Sequence, residues 1–344
     1  MSAARPELFV QGTPYEIGAQ YGKAMAAEIV RFLDDDLARI NRLRDSPLSM
    51  TAVSKFVGES AGWIEKEVPA VAEQIAGLAA GAGITYEQAM LLQLRRELIR
   101  LPREPGDCTS IAISNGRGPL IAQNVDLTGN LSGLSLVLHT AGSDGSGPRI
   151  CMFTFAGLCG YAGVNSHGLA VGINMVTSPG WRPGVPPYLL VAHILGCSSM
   201  AEAVDELARI RRASSRYLVL ADTSGALGVE MTVADLRTIC DPVLVHANHF
   251  LHPDFAAVET KSGGELACSH GRLERIRALA ARGAEAEEML RDHEGFPDCI
   301  CVHNGGDERK IETVAGLIMI PRSRELRIAF GNPCRSEFRV YRCE

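Results

Sequence analysis

The sequence predicts a layered α+β fold rather than a regular βαβ alternation, and three observations carry that prediction. Apolar residues recur at helical spacing through most of the first third of the chain. After Cys108 the pattern changes to alternation with a period of two. The strands then come in runs, interrupted by helices in pairs. The 344 residues suffice for a substantial core, in one large domain or two ordinary ones. Repeats, low-complexity segments and convincing linkers are absent from the sequence. The candidate boundary is therefore chemical, at Asp107–Cys108, dividing a helical segment 1–107 from a strand-rich segment 108–344.

A short strand is expected over Glu7–Gln11. Thr13-Pro14-Tyr15-Glu16 then supplies a capping Thr, Pro at the first helical position and Glu at the third, so a helix should run to about Arg42. Helical spacing continues over Thr51–Val68 and Ala70–Ala80. Thr85 with Gln88 makes a second capping box before Ala89–Leu98. Strands are predicted at Ile111–Ser114, Leu120–Asp126, Leu134–His139, Ile150–Phe155, Leu169–Met175, Tyr217–Ala221, Ala226–Met231 and Leu244–Asn248. Val314–Ile320, Glu325–Phe330 and Phe338–Tyr341 follow. Helices are expected at Pro187–Leu195, Met200–Arg211 (capped by Ser199 with Glu202) and Arg272–Arg291. Gly157-Leu158-Cys159-Gly160-Tyr161-Ala162-Gly163 lacks the phosphate-loop pattern and should provide turns and close strand packing. Arg95-Arg96-Glu97 reads as an exposed helix face with local ion pairs.

A net charge of −6 without a basic stripe argues against a nucleic-acid binder. The first residues lack the apolar core of a signal peptide, and no apolar run reaches bilayer length. Ten scattered cysteines form no regular framework, so the expectation is a reduced, cytoplasmic protein. Cys299-Ile300-Cys301 has one intervening residue, which fits neither a zinc knuckle nor a redox Cys-x-x-Cys. His246, His249 and His252 are spaced three apart, which suits neither a strand nor a zinc-binding His-Glu-x-x-His helix. Packing beside Asn248 and lining a pocket are their expected roles. No organic cofactor or metal is indicated.

Gly106-Asp107-Cys108-Thr109-Ser110 stands where the helical third gives way to strands, after a Pro/Gly loop. Attack of the Cys108 thiol on the preceding carbonyl would give a thioester by an N-to-S shift, and water would then release a new N-terminus. That terminus carries thiol and amine on one residue. A free α-amine has a reference pKa of about 7.7–8.0, so it can serve as base near neutral pH. The chemistry is that of a self-processing cysteine amidase or acyltransferase.

The chain resembles the isopenicillin N acyltransferase family of N-terminal-nucleophile hydrolases and acyltransferases. The motifs in order are Gln11-Gly12-Thr13-Pro14-Tyr15-Glu16-Ile17-Gly18, Asp107-Cys108-Thr109-Ser110 and Gln123-Asn124-Val125-Asp126. Gly163-Val164-Asn165-Ser166-His167-Gly168-Leu169, Gly184-Val185-Pro186, Val245-His246-Ala247-Asn248-His249 and Gly331-Asn332-Pro333-Cys334 complete them. The resemblance implies cleavage at Asp107–Cys108, with both segments staying associated in a four-layer αββα sandwich as one structural domain. It implies Cys108 as nucleophile, Asn248 as oxyanion donor and Asp126 as the acid that orients or charge-balances the new amine. Ser215 falls where the family has a serine implicated in processing or substrate contact; Thr109, His249 and His303 are further candidates for those roles. Two departures stand out. Val302 occupies a place where the family often has arginine, which removes a cation for a substrate carboxylate and argues against penicillin-type substrates. Asp107 stands where the penicillin-pathway enzyme has glycine.

The expected substrate is a small N-acyl amide or acyl thioester, with water as the favoured acceptor. Transfer from a coenzyme A thioester to a small amine is the close alternative, sharing the first half-reaction. A second alternative keeps the chain intact, with His246 as base for Cys108 and Asn248 as orienter. The third is an uncleaved, catalytically silent binding protein on the same scaffold.

Overall fold

A computed structural model describes residues 6–99, 108–116, 118–128, 131–143, 145, 147–307 and 310–344. Asp107, the upstream half of the expected cleavage bond, lies outside those residues. The chain enters on β1 (Glu7–Gly12) and continues through α1 (Pro14–Ala24), α2 (Ala26–Asp34), α3 (Met50–Glu67), α4 (Pro69–Ala82), α5 (Tyr86–Gln93) and α6 (Arg95–Ile99). Both expected capping boxes form. Glu16 takes the Thr13 amide at 2.8 Å, and Gln88 takes the Thr85 amide at 2.9 Å. Next come β2 (Cys108–Asn115), β3 (Gly118–Leu127), β4 (Ser135–Gly142), β5 (Ile150–Phe155), β6 (Ala162–Asn165) and β7 (Ala170–Asn174). The pair α7 (Pro187–Ile194) and α8 (Met200–Arg209) precedes β8 (Arg216–Asp222), β9 (Gly225–Met231), β10 (Leu236–Ile239) and β11 (Val243–His246). Helices α9 (Pro253–Ala256), α10 (Gly263–Ala281) and α11 (Ala286–Leu290) lead to β12 (Glu312–Ile320), β13 (Glu325–Phe330) and β14 (Arg339–Arg342).

Pairing sorts the strands into two sheets, ordered β1-β4-β5-β6-β7-β8-β9-β10 and β11-β2-β3-β12-β13-β14. The β1–β4 pair is parallel; the other pairs are antiparallel. Strands β2 and β3 lie face to face with β7, β8 and β9. The far face of the second sheet carries α10 and α11, while α1 and α8 pack on the first sheet and α4 packs on α1. The result is the α+β, four-layer αββα sandwich.

Pleat alternation on β3 explains how the layers are tied. Gln123 faces the opposite sheet, donating to the Ile173 carbonyl and accepting the Ile173 amide at 3.1 Å. Gly172 is required there, since a Cβ would come within 2.7 Å of the Gln123 amide oxygen. Asn124, one residue on, faces the helices and donates to the Leu290 and Ile300 carbonyls at 2.9 and 2.8 Å.

Several elements depart from the sequence expectation for identifiable reasons. The helix expected to reach Arg42 is two helices, α1 and α2, broken at Met25. The second stops at Asp34, where Asp34-Asp35-Asp36 puts three carboxylates at the negative end of the helix dipole. Residues Asp36, Leu37, Ala38 and Arg39 then take positive φ values of 49 to 59°. Arg39 bonding Asp35 at 2.8 Å and Arg95 bonding the Ala38 carbonyl at 2.6 Å hold that left-handed turn. The last long helix starts at Gly263 rather than Arg272 and breaks at Gly283, whose φ is +74°. Strands β6 and β10 were not expected. Gly163 still serves close packing, because a Cβ there would meet the Cys151 carbonyl oxygen at 2.5 Å. The Arg95-Arg96-Glu97 face is not exposed. Glu97 is buried, accepts from Ser214 at 2.8 Å and lies 3.6 Å from Arg216; burial pushes its carboxyl upward while Arg216 opposes. No helix among the described residues is long and apolar enough to cross a membrane.

Gln123→Met keeps the side-chain length but strands a buried amide and a buried carbonyl at Ile173. Each costs about 1–3 kcal/mol, so denaturant unfolding should show a stability loss of about 3 kcal/mol. A loss under about 1 kcal/mol would remove Gln123 as an inter-sheet tie.

Candidate active site

Cys108 opens β2 with 2% of its surface exposed, and its backbone is held from three elements. Its amide donates to Asn248 Oδ1 at 3.1 Å. Its carbonyl accepts from Arg272 Nη1 at 2.9 Å and from Asn174 Nδ2 at 3.3 Å. The placement follows from topology. Strand β11 is the antiparallel neighbour of β2, with His246 opposite Ser110, so two residues later Asn248 comes alongside Cys108. The strand expected to continue to Asn248 ends at His246, because the carbonyls of His246 and Ala247 are taken by Asn174 Nδ2 at 3.2 and 3.0 Å. Asn174 itself ends β7 on the facing sheet.

Arg272 and Asn174 are site residues that the sequence reading missed. Arg272 is buried on α10 together with Cys268, Ser269, Leu273, Ile276 and Leu279. An arginine at core spacing within an amphipathic helix is the signal that would have found it. Besides the Cys108 carbonyl, its guanidinium reaches Thr109 Oγ1 at 2.6 Å and Asn248 Oδ1 at 2.7 Å. These partners are all neutral oxygens, and among the described residues no carboxylate pairs with it. A buried cation solvated only by neutral acceptors favours negative charge developing nearby. Asn174 offered one weak signal, a polar residue closing an otherwise apolar strand. Its Oδ1 is buried with no hydrogen-bond partner among the described residues.

Asn248 is positioned in turn. Its Nδ2 donates to the Met175 carbonyl at 3.0 Å, and its backbone amide donates to Ser269 Oγ at 2.8 Å. Ser269 contacts His249 Nδ1 at 2.7 Å, and the His249 ring stacks on His270 with centroids 4.1 Å apart. Ser269 Oγ thus accepts from the Asn248 amide and shares a hydrogen with His249 Nδ1, in the direction that the imidazole tautomer sets. Burial, reinforced by the positive surroundings of His270, His246, Arg272 and Arg277, pushes His249 down to about 3. His246 turns both ring nitrogens to oxygen acceptors, Glu230 Oε1 at 3.0 Å and the Ala247 carbonyl at 2.9 Å, and stacks on Tyr217. Neither nitrogen is directed at the Cys108 sulfur.

The remaining sequence candidates spread out. Asp126 is diagonal to Cys108, one residue beyond Val125, which pairs with Cys108; it accepts from Thr313 Oγ1 at 2.6 Å. Ser215 is buried, donating to the Val176 carbonyl at 2.8 Å and accepting from the Ser178 amide and Trp181 Nε1. His303 lies in a separate group with His293, Cys301 and Cys334. Val302 is fixed through its backbone, which bonds Thr313 Oγ1 and Asn332 Nδ2. The cation beside Cys108 comes from Arg272. A small apolar cavity opens beyond the end of β3, lined by Leu127, Leu131, Phe32, Phe155, Tyr161 and Tyr188. Leu127 is two residues past the pairing partner of Cys108, about 7 Å along the strand.

The sequence model described as acyl-coenzyme A:6-aminopenicillanic acid acyl-transferase matches residues 113–335. That span includes Asp126, Asn174, Asn248 and Arg272 and begins inside the strand that Cys108 opens. The chain is 27% identical over 331 residues to the acyl-coenzyme A:6-aminopenicillanic-acid-acyltransferase 40 kDa form of Emericella nidulans, covering 94% of this chain and 92% of that protein. It is 23% identical over 385 residues to the β-alanyl-dopamine/carcinine hydrolase of Drosophila melanogaster, covering 97% and 95%. Among solved structures, the penicillin V acylase of Agrobacterium tumefaciens matches with a TM-score of 0.44 and 14% identity, over 68% of this chain and 84% of that one.

The depressed His249 gives a pH prediction. Between about 6.5 and about 3 the unfolded chain binds a proton that the folded chain refuses, so stability is lost as pH falls through that window. The slope is at most about 1.4 kcal/mol per pH unit. Thermal unfolding from pH 7 to pH 4 should fall more steeply for the wild type than for His249→Gln, and parallel profiles would dismiss the assignment.

Proposed function

The chain belongs to the acyl-coenzyme A:6-aminopenicillanic acid acyl-transferase family, and from that premise we propose that it is a self-cleaving N-terminal cysteine hydrolase. It acts on small N-acyl amides or acyl thioesters through an S-acyl-Cys108 intermediate. The observation that carries this reading is the clamp on Cys108, whose amide is held by Asn248 and whose carbonyl is held by Arg272 and Asn174.

Processing begins when the Cys108 sulfur attacks the Asp107 carbonyl carbon. The C–N bond breaks, the nitrogen takes a proton to become the Cys108 amine, and water hydrolyses the resulting thioester. Asn248 Oδ1 already accepts the N–H of the leaving nitrogen and can keep accepting from the amine. Asn174 Oδ1, lacking a partner among the described residues, can take one of the additional amine hydrogens.

In turnover the amine removes the thiol proton, and the thiolate attacks the substrate carbonyl. The buried Arg272 guanidinium favours the thiolate and the tetrahedral oxyanion that follows. Asn248 Nδ2 carries two hydrogens, and directing one to the oxyanion makes Asn248 the oxyanion donor. The amine returns its proton to the leaving group, and water releases the acid. The apolar cavity past Leu127 suits an apolar acyl chain. Asp126, held by Thr313, supports the site by fixing the strand beside Cys108 and supplying negative charge near the amine.

A second reading, transfer from a coenzyme A thioester to a small amine, is favoured by the likeness to the Emericella nidulans acyltransferase over nearly the whole chain. It uses the same acyl-enzyme and differs in the acceptor. Denaturing intact mass should give two fragments separated between Asp107 and Cys108, and Cys108→Ala should give one full-length mass and no turnover. Asn248→Ala should lower kcat by about 10²–10³-fold on whichever N-acyl amine a substrate screen selects. An uncut, active wild type would overturn self-processing in favour of an intact-thiol enzyme; an uncut, inactive one would favour the binding scaffold. Released free acid without added amine supports hydrolysis, whereas turnover that requires an amine acceptor assigns transfer.

A further inference from the structure

Away from Cys108, four side chains converge that the chemistry above does not use. His293 follows α11, Cys301 and His303 lie on the stretch leading into β12, and Cys334 lies in the short turn after β13. One ligand atom from each lies within 4.8 Å of all the others. His293 Nε2 and His303 Nε2 are 3.0 Å apart, Cys334 Sγ is 3.3 Å from His303 Nε2, and Cys301 Sγ is 3.9 Å from it. A tetrahedral zinc ion with Zn–N of about 2.0–2.1 Å and Zn–S of about 2.3 Å sets ligand separations of about 3.3–3.8 Å. The observed group is already close to that shape.

We propose that His293, Cys301, His303 and Cys334 bind one zinc ion at a structural site. Two imidazoles and two thiols are a donor set suited to zinc. Binding forms two Zn–S bonds and releases the two thiol protons to water, so the bound unit has no net charge. That neutrality matters beside Arg335, which follows Cys334 directly. Four protein ligands complete the tetrahedron and leave no open position for substrate, so the ion is structural rather than catalytic.

The backbone around the ligands is ordered by its own bonds. The Cys301 amide donates to the Asp292 carbonyl at 2.9 Å, and Asn332 Nδ2 donates to the Val302 carbonyl at 2.7 Å. Cys301 is buried, His303 and Cys334 are half-buried and His293 is exposed, which gives an ion a way in. The ion would pin residues 301–303 to the turn that carries Cys334. Val302, between two ligands, donates its amide to Thr313 Oγ1 at 2.8 Å, and Thr313 donates to Asp126. The site thereby braces the support of Asp126. It also gives His303 a role other than the substrate contact expected from sequence. Cys299, whose thiol donates to the Cys301 carbonyl at 3.1 Å, is not one of the four ligands, so the Cys299-Ile300-Cys301 pattern concealed the set.

The test is elemental analysis of untagged full-length protein purified without chelator, with intact mass and cobalt titration. The expected result is one zinc per chain. After chelation, cobalt should give a thiolate charge-transfer band in the near ultraviolet and intense visible bands of a tetrahedral site. Cys334→Ser and His293→Ala, the latter at an exposed position, should each lower zinc affinity at least tenfold while circular dichroism stays native. Readdition of zinc should raise the Tm of stripped wild type but not of Cys334→Ser. Protein without zinc that also gives no cobalt bands would overturn the proposal. So would zinc retained by both variants, iron or copper in place of zinc, or a mass two hydrogens low from a Cys301–Cys334 disulfide.

Discussion

The hydrogen bonds on the Cys108 backbone organise the rest of the site. The amide is taken by Asn248, and the carbonyl is shared by Arg272 and Asn174. These three residues come from the neighbouring strand edge, the outer helix layer and the facing sheet. Fixing the two peptide groups of one residue also limits where its side chain can go. Cys108 is therefore positioned by the contact of three layers, and a shift in any layer would move it. The buried polar groups of the clamp need one another, because each would be costly to leave unpaired.

Arg272 sets the electrostatics of that arrangement. Its guanidinium is buried against oxygens that carry partial rather than full negative charge. Such a site stabilises anionic states more than neutral ones, and it does so without reorganising when charge develops. Ser269, three residues earlier on α10, takes the Asn248 amide and hydrogen-bonds His249 Nδ1. One helix face thus supplies the cation and also fixes the asparagine that shares it.

The layered fold, the capped helices and most strands were legible because they depend on local spacing and caps. Thr13 and Thr85, each with its capping partner three residues on, announce their helices, and Ile150–Phe155 and Glu325–Phe330 have the bounds that alternation predicts. What was not legible depends on distant partners. Asp34-Asp35-Asp36 ends a helix that apolar spacing would extend, and the turn after it relies on Arg95, far along the chain. Glu97 looks like a surface charge until Ser214 and Arg216 arrive beside it. Cys108, Asp126 and Asn248 were visible as motif residues. Arg272 was hidden in a helix and Asn174 at a strand end, where the local spacing gives only a weak signal and the partners that make each residue part of the site lie far along the chain.

The origin of the clamp within the chain bears on self-processing. Asn174, Asn248 and Arg272 all lie after Cys108, so breaking the bond before Cys108 removes none of these partners. The upstream segment is joined to the rest by separate means. Strand β1 pairs with β4, and Tyr21 donates to the Phe155 carbonyl at 2.7 Å. Gln93 bonds the Gly157 carbonyl and the Cys159 amide at 2.7 and 3.0 Å, and Glu97 meets Ser214 and Arg216. These are buried, long-range contacts backed by a core that takes side chains from both segments. Cutting one peptide bond adds conformational freedom only at the new ends, which cannot offset that burial. The same fold could therefore hold the intact chain and a cut pair, and the proposed cleavage would change chiefly the nitrogen of Cys108, from an amide with one hydrogen to an amine that can act as a base.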